Sequence, residues 1–154
     1  ARNIMNGLLE ADPENAKHYL RNGDNLIDDL NYLDDQFRQS LASCKKEVIL
    51  VNHNSFSYLA RDYGFSTIEI AGLEPEMEPT PKQLANLIEA AQRYELKYVF
   101  YEELVDPRIA KAIADEIGAQ TLELNPIEGT KDETATYFSL MRKNLANLEV
   151  ALEC

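Results

Sequence analysis

Between Pro13 and Ser43 apolar side chains recur at three-and-four spacing: Tyr19, Leu20, Leu26, Ile27, Leu30, Leu33, Phe37 and Leu41. That spacing keeps one stripe of a helix apolar. It predicts a helix of about 28 residues, roughly 42 Å long at the standard rise. A compact domain of 154 residues has a radius of gyration of about 15 Å, so such a helix spans or overshoots the whole body. Either it projects, or it belongs to something larger. Asp12 and Pro13 read as its N-cap and first position. Residues 1–12, with Ile4, Leu8 and Leu9 at helical spacing, read as the end of a helix that began upstream.

After residue 44 the pattern changes to strand, helix, strand, helix. The short β-rich runs are EVILVN (47–52), TIEIAG (67–72), KYVFYE (97–102) and AQTLEL (119–124), separated by helical segments. Thr80, Pro81 and Gln83 form a capping box, Asp106 with Pro107 repeats a cap, and Thr130 with Glu133 suggests a third. Gly64 and Gly118 stand where helices stop. Strands alternating with single helices imply a Rossmann-like four-stranded parallel sheet flanked by helices, preceded by the long α-helix. In such sheets ligands sit beyond the carboxyl ends of the strands. His53 follows the first strand, Glu102 and Glu103 the third, and Asn125 with Pro126 the fourth.

Composition removes several classes of function. A formal charge of −12 and a pI near 4.5, with no cluster of Lys and Arg, argue against nucleic acid as a partner. No apolar run approaches the ~20 residues that cross a bilayer, and the first residues lack the apolar core of a signal peptide. The absence of an initiator Met suggests a processed or truncated start. Cys44 and Cys154 are too few and too far apart for a zinc ribbon or a CxxC redox motif. They read either as two unpaired buried thiols or as one disulfide, which needs an oxidising compartment.

The chemistry left is sparse. There is no GxGxxG and no Walker sequence for a phosphate, and Ser55 and Ser57 lack the GxSxG elbow of an acyl-transfer nucleophile. What remains is one imidazole with oxygen donors, His53 with Glu102 or Glu103 and Asn125, a mixture of the kind that holds a metal. The plainer alternative is a His53 hydrogen-bonded to backbone at a helix start, with the two glutamates solvated. His18, between Lys17 and Arg21 on the long helix, reads as a solvated residue. The acidic, proline-rich stretch AGLEPEMEPTPKQL (71–84) reads as a connection to the helix capped at Thr80, or as a mobile rim.

Taken in order, DPENAKHYLRNGDNLIDDLNYLDDQF, VNHNSFSYLARDYGF, AGLEPEMEPTPKQLANLI, VFYEELVDPRIAKAIADEIGAQTLELNPIEGT and YFSLMRKNLANLEVAL cover nearly the whole chain. Together they resemble the carboxyl-terminal half of the zinc- and manganese-type solute-binding proteins of bacterial ABC transporters. The resemblance implies two α/β lobes joined by a rigid helix, with the ion clamped between them. On that pattern residues 13–43 are the interlobe helix, which explains its length, and residues 44–154 are the carboxyl-terminal metal-binding lobe. The amino-terminal lobe, with its own two histidine ligands, would lie upstream of Ala1.

The same resemblance assigns roles. His53 matches the first ligand of this lobe. The second is typically an aspartate before a proline, and here that position is Asn125, an amide and a poorer zinc ligand than a carboxylate. Glu102 matches an acidic residue beside the site, as a substitute ligand or as a partner to one. A histidine at position 53 leans toward zinc, with manganese as the alternative. The family is extracytoplasmic, periplasmic or extracellular and in some members lipid-anchored, which favours a Cys44–Cys154 disulfide. The implied partner is the ABC permease, and no bond is made or broken. Some members are also surface adhesins. Tyr19, Leu20 and Leu26, if uncovered, form an apolar patch suited to self-association through the long helix. The loop Glu74 to Glu78 is a candidate docking contact or a metal-attracting rim.

Overall fold

The structure, a computed structural model, describes residues 1–52, 54–70 and 80–154. They fall into two compact units, Ala1–Gln39 and Ser40–Cys154.

The first unit is built from helix α1 (Arg2–Ala11), a single 3-10 turn (Pro13–Asn15) and the long helix α2 (Ala16–Leu41), whose last two residues belong to the second unit. The expected N-cap at Asp12 forms differently. Its side chain makes no bond to a helix-start N–H. Instead its carboxylate accepts from Asn15 Nδ2 at 2.8 Å and from the Tyr19 hydroxyl at 2.7 Å, while Pro13 starts a turn that passes into α2. Tyr19 is therefore half-buried and tied to Asp12 rather than part of an open patch, whereas Leu20 and Leu26 stay 43% exposed. Gly23 marks a close approach: a Cβ there would overlap the side chain of Met5, so α1 and α2 meet only because this position is bare. His18 is exposed, as expected.

The second unit is a four-stranded parallel sheet of β1 (Val48–Val51), β2 (Ser66–Glu69), β3 (Tyr98–Tyr101) and β4 (Gln120–Glu123), in the order β2-β1-β3-β4. Helices α3 (Ser57–Tyr63), α4 (Pro81–Arg93) and α5 (Arg108–Ile117) connect successive strands, and α6 (Tyr137–Leu152) closes the chain. Strand side chains alternate between faces. On one face Leu50 and Val99 pack with Leu87, Ala91, Ala110, Ile113 and Ala114 of α4 and α5. α6 lies against β1 and β4 and buries Leu140, Leu145, Leu148 and Leu152.

The helix ends follow local chemistry. Thr80 Oγ1 accepts from the Gln83 N–H at 3.4 Å while Gln83 Oε1 accepts from the Thr80 N–H at 2.9 Å, the anticipated capping box. Asp106 caps α5 through the Arg108 N–H at 3.0 Å. Gly64 (φ 81°) and Gly118 (φ 70°) terminate α3 and α5 in the left-handed region that favours glycine. The third cap is elsewhere: Thr130 and Glu133 lie in a loop, and α6 begins after Thr136, whose hydroxyl accepts from the Ser139 N–H at 3.1 Å. Thr-x-x-Ser replaces the Thr-x-x-Glu that the sequence offered. Cys44, just before β1, and Cys154, just after α6, form a disulfide with Cα atoms 3.9 Å apart, and no free thiol remains.

Candidate metal centre

The strand order reverses at β1: the chain runs outward to β2, then crosses back to β3 on the other side. The carboxyl ends of β1 and β3 are thus the switch point, where loops diverge and leave a crevice. Asn52, 4% exposed, ends the β1 side of that crevice, and Glu102, 4% exposed, ends the β3 side. His53 follows Asn52 in sequence and lies outside the described residues, as does the Glu74–Glu78 loop. A carboxylate as buried as that of Glu102 requires a cation or hydrogen-bond donors around it.

Glu102 and Asn125 come together in a cleft of about 50 Å³ at the ends of β3 and β4, lined also by Glu103, Leu104, Glu128 and Gly129. That space admits an ion or one or two waters, not an organic substrate. Glu128 stands exposed at the rim. Among the described residues no group of three or more His, Cys, Asp or Glu is placed to hold a metal.

Asn125, 2% exposed, uses both ends of its side chain. Its Oδ1 accepts from the Ile127 N–H at 2.7 Å, and its Nδ2 donates to the Gly129 carbonyl at 3.1 Å and to Glu103 Oε2 at 3.3 Å. Glu103 Oε1 accepts from the Lys131 N–H at 3.0 Å. This bond, and then the Thr130 hydroxyl, hold the Glu103 carboxyl below its usual range. Asn144 of α6 grips the peptide of the same residue: its Oδ1 accepts from the Asn125 N–H at 2.8 Å and its Nδ2 donates to the Asn125 carbonyl at 2.7 Å.

Glu128 and Asn144 escaped the sequence reading, and Glu103 entered it only as an alternative to Glu102. Glu128 follows Asn125 by three positions in a segment without periodicity. Asn144 had a signal: a polar residue on a helix stripe that otherwise carries Leu140, Leu145, Leu148 and Leu152 is buried with them and must be bonded.

The family described as zinc-uptake complex component A, periplasmic (ZnuA), matches residues 1–151. Zinc-binding protein AdcA of Streptococcus pyogenes serotype M18 (strain MGAS8232) is 36% identical, over 98% of this chain and 30% of AdcA. High-affinity zinc uptake system protein ZnuA of Bacillus subtilis (strain 168) is 34% identical, over 98% of this chain and 49% of that protein. Among solved structures, the laminin-binding protein Lbp of Streptococcus pyogenes has a TM-score of 0.88 at 32% identity, over 97% of this chain and 59% of that one. The chain spans less than half the length of these two curated relatives. Its parallel sheet, its long first-unit helix and a family match running through residue 151 have one common explanation: the chain belongs to the zinc-uptake complex component A family.

Proposed function

We propose that this chain is the carboxyl-terminal lobe and interlobe helix of a solute-binding protein that captures zinc outside the cytoplasm and hands it to an ABC permease. Residues 13–43 are the interlobe helix and residues 44–154 the lobe. The observation that carries this reading is the switch point itself, where a buried carboxylate, Glu102, ends β3 beside the strand that leads in sequence to His53. The neutral imidazole of His53 is the nitrogen ligand. Glu102 and the rim carboxylate Glu128 are the oxygen donors available to share the ion or to orient that imidazole. Asn125, whose amide is engaged on both sides, is the weakest candidate of the set. Imidazole with carboxylate suits zinc, and manganese, which prefers oxygen donors, is the alternative cargo.

The binding is electrostatic and reversible. A charge of −12 raises the local concentration of divalent cations, and the burial of Glu102 strengthens its attraction for an ion. Two to three donors leave a tetrahedral site incomplete, so an upstream lobe would supply the remainder, in keeping with the share of its relatives that this chain spans. The permease is the proposed recipient. Leu20 and Leu26 offer apolar surface for the rest of the protein or for a second copy.

A competition titration with a zinc chelator, on this chain and on His53→Ala, tests the reading. The expected result is affinity weaker than about micromolar, near 8 kcal/mol, and lost in the variant. Undiminished binding by His53→Ala contradicts it. The similarity to a laminin-binding protein favours a second reading, a surface adhesin. Laminin capture that survives both His53→Ala and chelation supports that role over zinc delivery.

A further inference from the structure

Past β4 the backbone leaves the sheet at an edge, where peptide groups have no further strand to bond. α6 supplies the partners. Asn147 Nδ2 donates to the Glu123 carbonyl at 2.7 Å, and Asn144 satisfies both peptide groups of Asn125. The Asn125 side chain then folds the following residues back through Ile127, Gly129 and Glu103. Inside this ring Ile127 sits at φ 65°, a conformation that a β-branched residue keeps only where its surroundings over-determine it.

The ring also has a polarity. The amide nitrogen of Asn125 only donates and the carboxylate of Glu103 only accepts. An aspartate at position 125 would lose both donated bonds and set a second carboxylate against Glu103.

We propose, building on the metal-site reading, that Asn125 and Asn144 are positioning residues: Asn144 anchors the Asn125 backbone, and the Asn125 side chain, clasping Glu103, Ile127 and Gly129, fixes the turn that presents Glu128 at the cleft. Asn125 thereby stands outside the ligand set, and the carboxylate at this strand end is carried by the turn it holds.

The test compares the chain with N125D and with N125D/E103Q. In the double variant the new amide at position 103 can donate to the new carboxylate at position 125 while its carbonyl still accepts from Lys131, so the pair is restored with its polarity reversed. Amide hydrogen exchange at Ile127 and Lys131, taken relative to the buried strand amide of Val99, reads the clasp without zinc. N125D should speed both by about tenfold, the equivalent of one hydrogen bond, and E103Q should recover most of that loss. A general loss of stability would move Val99 equally and leave the ratio unchanged, which would overturn the proposal. In zinc titrations N125D should weaken binding about tenfold, as loss of a ligand's support does, and the double variant should recover it. Tighter zinc binding by N125D, with exchange at Ile127 and Lys131 unaltered, would make position 125 an open ligand site and end the proposal. His53→Ala in the same titration separates the two ideas: zinc affinity untouched by it removes the metal-site reading, while the exchange ratios still decide the clasp.

Discussion

Asn144 shows how one side chain can carry more than its share of a strand end. It is 2% exposed, and its amide meets a peptide with the same donor and acceptor geometry as a neighbouring strand would. Replacing it by Ala leaves the Asn125 N–H and carbonyl buried without those partners, at a cost of about 1–3 kcal/mol per group. Asn144→Ala should therefore lower urea-denaturation stability by a few kcal/mol. Asn144→Asp keeps the acceptor for the Asn125 N–H but turns a carboxylate toward the carbonyl, so it should rescue little. A loss within about 0.5 kcal/mol for Asn144→Ala, the range of an ordinary surface change, would contradict this assignment. At this scale the sequence was partly legible. His53, Glu102 and Asn125 were singled out by their places after strands, a local property. The bonds that occupy Asn125 come from Glu103, Gly129 and Asn144, and only the folded sheet brings position 144 to position 125.

At the scale of elements, the strands and helix stops were readable because β-rich runs and glycines act locally. β1, β3 and β4 fall within the runs that the pattern marked, and β2 starts one residue before its run and ends at Glu69. Two helix starts differed for the same reason, since a cap motif identifies a residue type but not its partner. Thr130 with Glu133 matched the pattern, yet the α6 stripe of Leu140, Leu145 and Leu148 begins too late to use it, and Thr136 with Ser139 caps the helix instead. Asp12 gave its carboxylate to Tyr19 and Asn15. Those bonds, Asn15 first and then Tyr19, lower the Asp12 pKa, and the bond to Asp12 raises that of Tyr19. A depressed carboxyl stabilises the fold above its unfolded value of 3.8, and the contribution disappears as pH falls through the folded value. The raised tyrosine acts in the opposite sense, contributing below 10.0 and losing that contribution as pH rises through its folded value. Tyr19→Phe should thus loosen the α1–α2 turn at neutral pH, seen as faster amide exchange around Ala16, and differ least from the parent chain in strong acid. A difference that grows on acidification would contradict the pairing.

For the whole molecule, the long helix was the strongest signal, and its length followed from one stripe of apolar spacing. The Cys44–Cys154 bond closes a loop of 110 residues and ties the entrance of β1 to the end of α6. A closure of that length stabilises by about 4–5 kcal/mol in the chain-entropy description. Cys44→Ser with Cys154→Ser should lower the melting temperature by roughly 10–20 °C and leave zinc affinity unchanged, because the bridge lies at the opposite end of the strands from the cleft. Zinc binding lost in a folded double variant would break that separation. His53, which follows β1 in sequence, is the proposed metal-binding imidazole. The chain has two histidines, His18 and His53, so an imidazole proton–nitrogen correlation spectrum contains only two rings, one of them on an exposed helix. Adding zinc should move one ring nitrogen of His53 to a metal-bound shift and fix its tautomer, with His18 unmoved. A spectrum in which zinc leaves His53 unchanged, or shifts His18 alone, would contradict the claim.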